Sequence, residues 1–115
     1  MAKHLDLKAL KTRASDVSEL LKLLSHPNRL LIACALTDGE KNVGELERET
    51  GVAQPHVSRE LARLRAAELV VDRRASKNVY YEISDPRLIK LIDALCDAFA
   101  GDKKRAQTKR SGRSK

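Results

Sequence analysis

The chain has 115 residues, of which 42% are hydrophobic and 3% are aromatic, so the sequence predicts one compact domain with an aliphatic core. No apolar run reaches the roughly 18 residues of a membrane span, and residues 1–10 lack the apolar centre of a signal peptide, so a cytoplasmic location without membrane contact is expected. Residues 102–115 carry +6 of the net charge of +7, which predicts a disordered basic tail after a domain at residues 1–101.

Three helices are predicted in the first half of the chain. Apolar side chains with a helical period cover residues 4–24, and Pro27 suits the first turn of a second helix. Asn42 and Glu45 have the spacing of a capping box, so a third helix is predicted to begin there. Gly51 provides the left-handed residue that ends this helix.

The second half of the chain combines a fourth helix, a hairpin and a final helix. The fourth helix, residues 54–67, follows the third after a short turn, so this pair fits a helix-turn-helix. Residues 69–74 and 79–83 are rich in β-forming residues and predict a hairpin, and Pro86 begins the last helix. The expected fold is mainly α with a small β-hairpin, a winged helix-turn-helix of order α-α-α-α-β-β-α. The amphipathic first and last helices are candidates for a homodimer interface.

The fourth helix has two distinct faces. At 100° per residue, Val57, Leu61 and Leu64 share the buried side. His56 and Arg59 point away from that side. Surface helices often have such a solvated charged face, and the helix alone leaves that alternative open. The turn before it and the basic hairpin after it favour a DNA-facing role.

The second helix of a helix-turn-helix enters the major groove, and its N-terminal residues contact base edges. Arginine can donate two hydrogen bonds to guanine, and glutamine can pair with adenine. Basic residues further along the helix suit phosphates, and basic residues in a wing suit the neighbouring backbone or minor groove. An alternative for the hairpin is a charged edge that blocks strand aggregation. The predicted DNA contacts are Gln54, His56, Ser58 and Arg59 for bases, Arg63 and Arg65 for phosphates, and Arg73, Arg74 and Lys77 in the wing.

Four blocks of the sequence resemble the ArsR/SmtB family of bacterial repressors. They read LSHPNRLLI, VGELERETG, QPHVSRELARLRAAELV and RRASKNVYYEI, and the resemblance covers about residues 17–100. The resemblance implies a winged-helix homodimer, formed through the first and last helices, that binds an inverted repeat in a promoter and releases it when an effector binds. It implies the same base-reading residues and adds Asn78 to the wing.

Two positions in the fourth helix and its cap depart from the family pattern. Many members have a capping serine where this chain has Ala53, and Pro55 is expected to compensate by fixing φ. Many have histidine where this chain has Glu60, which the helical period places at the edge of the DNA-facing side. A carboxylate there would disfavour phosphate or accept a hydrogen bond from cytosine, which leaves room for a different operator sequence.

The metal sites of the family are not predicted in this chain. Residues 43–45 lack the Cys-x-Cys that sensors of arsenic, lead and cadmium often carry there. Of the zinc and nickel ligands on the last helix, only Asp85 has a counterpart. His4, His26 and His56 show no ligand spacing with each other or with a cysteine. We therefore expect neither a metal nor a cofactor.

Cys34 and Cys96 are the remaining candidates for sensing. The dithiol branch of the family, which responds to sulfide, persulfide or oxidants, carries one cysteine in the second helix and one at the end of the last. Cys34 matches the first position, whereas Cys96 lies one helical turn, about 6 Å, before the second. Two alternatives stay open: the pair forms a thiol sensor, or each cysteine is a small core residue.

The sequence predicts a DNA-binding repressor and gives no sign of an enzyme. A Ser-His-Asp set, a paired-carboxylate site and a Gly-rich phosphate loop are all missing. The expected partners are double-stranded promoter DNA and a second copy of the chain, with reactive sulfur or an oxidant as inducer. The alternatives are a repressor without a ligand, in which the cysteines are structural, and a winged-helix module that binds proteins.

Overall fold

A computed structural model describes residues 6–100 and contains five α-helices and three β-strands in that range. The elements are α1 (Leu7–Leu24), α2 (Pro27–Ala35), a 3₁₀ turn (Leu36–Asp38), β1 (Lys41–Asn42), α3 (Val43–Thr50), α4 (Gln54–Ala66), β2 (Val70–Ala75), β3 (Asn78–Ile83) and α5 (Pro86–Phe99). The predicted mainly α fold with a hairpin is confirmed. The tail predicted at residues 102–115 lies outside the described residues, so the proposed division of the chain stays a prediction.

The helix ends follow the local sequence. The Asn42 side chain accepts a hydrogen bond from the Glu45 amide, and the Glu45 carboxylate accepts one from the Asn42 amide, each at 2.8 Å. Gly51 then ends α3 with a φ of 77°, a conformation that glycine adopts without a Cβ clash. Ala53 begins α4 without a side-chain cap, and Pro55 stands in its first turn, as the sequence predicts.

The sheet contains one strand more than the predicted hairpin. Strands β2 and β3 pair antiparallel from Val70–Ile83 to Ala75–Asn78, so the connecting loop has two residues. The additional strand, β1, pairs with the other edge of β3, with Lys41 opposite Tyr81. Because β1 leads directly into α3, this pairing fixes the base of the wing to the start of the helix-turn-helix.

The core is aliphatic and lies between α2, α3, α4, α5 and the base of the wing. Its fully buried residues include Ile32, Leu36, Leu46, Val57, Leu61, Leu64, Val70, Leu88 and Ile92. Helix α1 contributes little, since Leu24 is its only buried residue, and Leu10, Val17 and Leu21 remain exposed. Phe99 at the end of α5 is 84% exposed. Within residues 6–100, every helix is too short or too polar to cross a membrane.

Candidate nucleic-acid interface

The turn between α3 and α4 orients the candidate interface. Val52 in this turn is 6% exposed and packs in the same core as Leu46 of α3 and Leu61 of α4. The Val52 amide also donates to the Thr50 hydroxyl at 3.1 Å, and the hydroxyl donates to the Leu46 carbonyl. These contacts fix the relative placement of the two helices, so the side of α4 opposite Leu61 faces outward.

The α4 residues predicted to contact DNA lie at the protein surface. The structure leaves all six of them exposed: Gln54, His56, Ser58, Arg59, Arg63 and Arg65. Arg59 Nη2 lies 2.7 Å from His56 Nδ1. Because a guanidinium can only donate, Nδ1 accepts, and the neutral His56 ring carries its proton on Nε2. The two head groups therefore form one polar unit in the N-terminal half of the helix.

Glu60 does not lie at the edge of the DNA-facing side, and that prediction is wrong. Glu60 is 1% exposed, and Arg29 of α2 donates from Nε to its Oε1 at 2.8 Å. Helix α2 packs along this side of α4 and covers the carboxylate. Burial alone would raise the pKa of Glu60, but the hydrogen bond and charge of Arg29, with the charges of His26 and Arg59, outweigh burial and lower it.

Arg29 is a buried partner that the sequence analysis missed. It is 8% exposed, and its Nη1 also donates to the Leu23 carbonyl at the end of α1 at 2.8 Å. Its spacing could have predicted this burial. Arg29 precedes the buried Ile32 and Ala33 by three and four residues, so it lies on the same face of the helix. A charged residue on a buried face requires a partner, and Glu60 provides it.

The wing places its predicted residues on the surface. Arg73, Arg74, Lys77 and Asn78 are all exposed. Arg73 donates to both carboxylate oxygens of Glu40, at 3.1 and 2.8 Å, and lies 5.1 Å from the centre of the Tyr80 ring. Arg65 of α4 similarly pairs with Asp72 of β2 at 3.2 Å. The wing is thus attached by ion pairs to the β1 turn and to the end of α4.

The two cysteines meet between α2 and α5. Their sulfur atoms are 4.0 Å apart, both residues are half-buried free thiols, and the Cys96 thiol donates towards the Cys34 sulfur. Burial, followed by the proximity of Cys96 and of Asp93, raises the pKa of Cys34 to about 12. The displacement of Cys96 by one helical turn therefore does not separate the two thiols. Both also pack against the core, as the structural alternative requires.

Metal coordination finds little support in the part of the chain that the structure describes. Among residues 6–100, no three histidine, cysteine or acidic side chains come close enough together to hold a metal ion. Asp85, the residue that matched a family ligand position, instead accepts hydrogen bonds from the amide and guanidinium of Arg87.

Comparison with known proteins gives consistent matches. Residues 26–71 match the model described as "Bacterial regulatory protein, arsR family". The chain is 39% identical over 103 residues to the "Biofilm growth-associated repressor" of Xylella fastidiosa (strain 9a5c). The aligned region covers 90% of each protein. The structure of the transcriptional repressor BigR from Xylella fastidiosa superposes with a TM-score of 0.79 at 38% identity and covers 85% of this chain and 100% of that one. The structure of reduced HlyU from Vibrio cholerae N16961 superposes with a TM-score of 0.74 at 30% identity. It covers 82% of this chain and 99% of that one.

Proposed function

The chain belongs to the ArsR family of bacterial regulatory proteins, and on that premise we propose that it represses transcription by binding, as a homodimer, to an inverted repeat in promoter DNA. It is a transcriptional regulator and not an enzyme. The observation that carries the proposal is the exposure of polar and basic residues on α4. This helix is the second of the helix-turn-helix and precedes a basic wing. The relatives from Xylella fastidiosa are described as repressors, which supports repression rather than activation.

Within the interface, position decides the kind of contact. Gln54, His56, Ser58 and Arg59 occupy the N-terminal half of α4, which in this motif reaches base edges. Arg63 and Arg65, one or two turns further on, hold phosphates. Arg73, Arg74, Lys77 and Asn78 of the wing contact the neighbouring backbone.

Two of these contacts require an exchange of partner. Arg65 is paired with Asp72 and Arg73 with Glu40, both at the surface. Exposed ion pairs contribute only about 0–1 kcal/mol, so a phosphate can replace the carboxylate at small cost.

The uncovered apolar residues of the first and last helices support dimerisation. Leu10, Val17 and Leu21 on α1 are 37–50% exposed, and Phe99 on α5 is 84% exposed. A symmetric contact through α1 and α5 would cover these residues and would place two α4 helices against two half-sites. Such half-sites lie about 34–36 Å apart when they are one DNA turn apart.

We propose further that Cys34 and Cys96 control DNA binding. Burial raises the pKa of the Cys34 thiol, so we assign the first attack to Cys96. With hydrogen peroxide, Cys96 becomes a sulfenic acid and one water leaves; the Cys34 sulfur then displaces the hydroxyl group as a second water. The two sulfurs lose two electrons and two protons in total. A small persulfide gives the same disulfide in two steps. Cys96 takes the outer sulfur and the parent thiol leaves; Cys34 then attacks the inner sulfur, which is that of Cys96, and the outer sulfur leaves as hydrogen sulfide.

The disulfide would act mechanically. Its sulfurs must approach from 4.0 Å to about 2.05 Å, which pulls α2 and α5 together. Helix α2 is bound to α4 through Arg29 and Glu60, while α5 belongs to the proposed dimer contact. A change in their separation therefore alters the placement of the two recognition helices on the DNA.

Selection of duplexes from a randomised DNA pool tests the DNA-binding part. We expect an inverted repeat to be enriched and protected in a footprint, with affinity that falls steeply between 50 and 200 mM salt, by about 10³-fold for six or more phosphate contacts. A protein-interaction module would enrich no sequence and would leave no footprint, and that outcome would overturn the proposal.

Variants of the cysteines test the control of binding. We expect hydrogen peroxide to release the wild type from the selected duplex and a thiol reductant to restore binding. Cys34→Ser and Cys96→Ser should each bind the duplex and resist release. If both variants are released like the wild type, the cysteines are structural and the thiol proposal is wrong, while the DNA-binding proposal stands.

A further inference from the structure

Glu60 is a buried carboxylate to which the proposed function gives no part in reading DNA. Its two oxygens have different surroundings: Oε1 accepts the hydrogen bond from Arg29, whereas Oε2 faces Arg59 Nε at 3.8 Å and His26 Nε2 at 3.9 Å. The second oxygen therefore faces two side chains that reach the surface, since His26 is 45% and Arg59 is 53% exposed.

Arg59 has a charged or polar neighbour at each end of its guanidinium. Its side chain is 53% exposed, yet its Nε forms an ion pair with Glu60 at 3.8 Å and its Nη2 donates to His56 at 2.7 Å. A free arginine side chain has up to about 2 kcal/mol of rotamer entropy to lose when a ligand orders it. Two contacts made before binding remove part of that cost and select one orientation.

We propose that Glu60 is a specificity-determining residue that acts through Arg59, fixing the guanidinium in the orientation that reads one base pair of the operator. The ligand chemistry is a pair of acceptors on a purine edge, such as guanine O6 and N7, which a preoriented guanidinium contacts with two parallel hydrogen bonds. The inference rests on the proposed function, because it assigns to α4 the reading of bases.

A purely structural role for Glu60 predicts something different. In that case the carboxylate would only join α2 to α4 through Arg29, and its loss would loosen α4 as a whole. All contacts of α4 would weaken together, and Arg59 would have no special part. The two roles differ in whether the effect of Glu60 requires Arg59.

A double-mutant cycle separates them. Glu60→Gln keeps the shape and an acceptor for Arg29 but removes the charge that faces Arg59. The probes are the duplex selected by the wild type and its single-base-pair variants. We expect Glu60→Gln to reduce discrimination at one position of each half-site by about tenfold, within the range for one bidentate contact. Arg59→Ala should lose discrimination at the same position, and Glu60→Gln should add no further loss to Arg59→Ala. If the two substitutions instead lower discrimination independently, so that their factors multiply in the double variant, the inference is overturned.

If Glu60→Gln fails to fold, a measurement on the wild-type protein still tests whether Glu60 orders Arg59. The nuclear magnetic resonance signal of the Arg59 Nε–H group is assigned by its loss in Arg59→Lys. In the DNA-free protein, this group should have an order parameter near that of rigid backbone. Arg63, on the same side of α4, is the internal comparison and should be mobile. A mobile Arg59 Nε–H would refute the inference. If instead the wild type selects no sequence, the proposed function fails while this measurement still reports on the Glu60–Arg59 contact.

Discussion

The residue after the C-cap of α4 has a backbone conformation that its side chain disfavours. Glu68 has a φ of 64°, its amide donates to the Arg65 carbonyl, and the next amide, of Leu69, donates to the Leu64 carbonyl. These two bonds form a Schellman motif, which usually places glycine at this position. We expect Glu68→Gly to raise the free energy of unfolding by about 0.5–1 kcal/mol, because relief of the left-handed strain exceeds the entropy that glycine loses. Urea denaturation measures the difference.

A glycine two residues earlier is the matched control. Ala66 is the last residue of α4, and Ala66→Gly should lower the free energy of unfolding by up to about 1 kcal/mol, since helical backbone favours alanine. An equal loss of stability in Glu68→Gly and Ala66→Gly would contradict the assigned strain.

The Cys34 thiol has a pH dependence that follows from its burial. Its pKa rises from 9.0 to about 12, with burial as the largest cause, so folding favours the protonated thiol. The corresponding stability is complete below pH 9 and is lost as the pH rises towards 12.

We expect iodoacetamide to modify Cys34 in the reduced, folded protein at pH 8 at least about tenfold more slowly than in urea. Peptide mass spectrometry measures the rate, and a rate in the folded protein that levels off near pH 9 would contradict the assignment.

At the scale of elements, the sequence predicted what is determined locally. The capping box of Asn42 and Glu45 and the exit at Gly51 are contained within a few residues, so composition and spacing suffice to find them. Strand β1 has two residues and exists only because β3, some forty residues later, pairs with it. A strand so short leaves no period to detect.

The side of a helix that meets another helix is a tertiary property. The helical period correctly placed Val57, Leu61 and Leu64 inside, but it could not show that α2 also covers Glu60. The 4.0 Å between the sulfurs of Cys34 and Cys96 has the same origin, because α2 and α5 are distant in sequence and adjacent in space. For this reason the sequence left the roles of the cysteines open and misplaced Glu60.

The division of α4 into base-reading and phosphate-binding parts predicts two different kinds of variant. Arg63→Ala should weaken binding to the selected duplex and to random DNA by similar factors and should reduce the salt slope by about 1. Arg59→Ala should lower affinity for the selected duplex by about 1–3 kcal/mol and relax sequence preference. Both arginines are exposed on the same helix, so each serves as the control for the other. Fluorescence anisotropy at several salt concentrations measures both, and identical behaviour of the two variants would contradict the division.

At the scale of the whole molecule, α1 exposes apolar side chains that no other element of residues 6–100 covers. Helix α1 lies largely outside the core, and its exposed Leu10, Val17 and Leu21 share one side of the helix by their spacing and form an apolar patch, which the proposed dimer covers together with Phe99 of α5. An exposed apolar patch of this kind marks an interaction surface. The proposed dimer contact and the proposed disulfide both involve α5, which contains Cys96 and Phe99.

A charge placed in this patch should separate the two copies. Leu21 on α1 is 47% exposed, and Leu21→Lys would bury an unpaired ammonium if α1 meets its counterpart in a second copy. We expect the variant to sediment as a monomer at concentrations where the wild type is a dimer, and to bind the inverted repeat much more weakly than the wild type does. Val71→Lys is the matched control, because Val71 is 49% exposed, belongs to β2 rather than to the helices of the proposed dimer contact, and faces Glu82 across the hairpin. This variant should remain a dimer, because a lysine there stays in solvent near an opposite charge. A dimeric Leu21→Lys protein with wild-type affinity for the repeat would show that α1 does not form the contact.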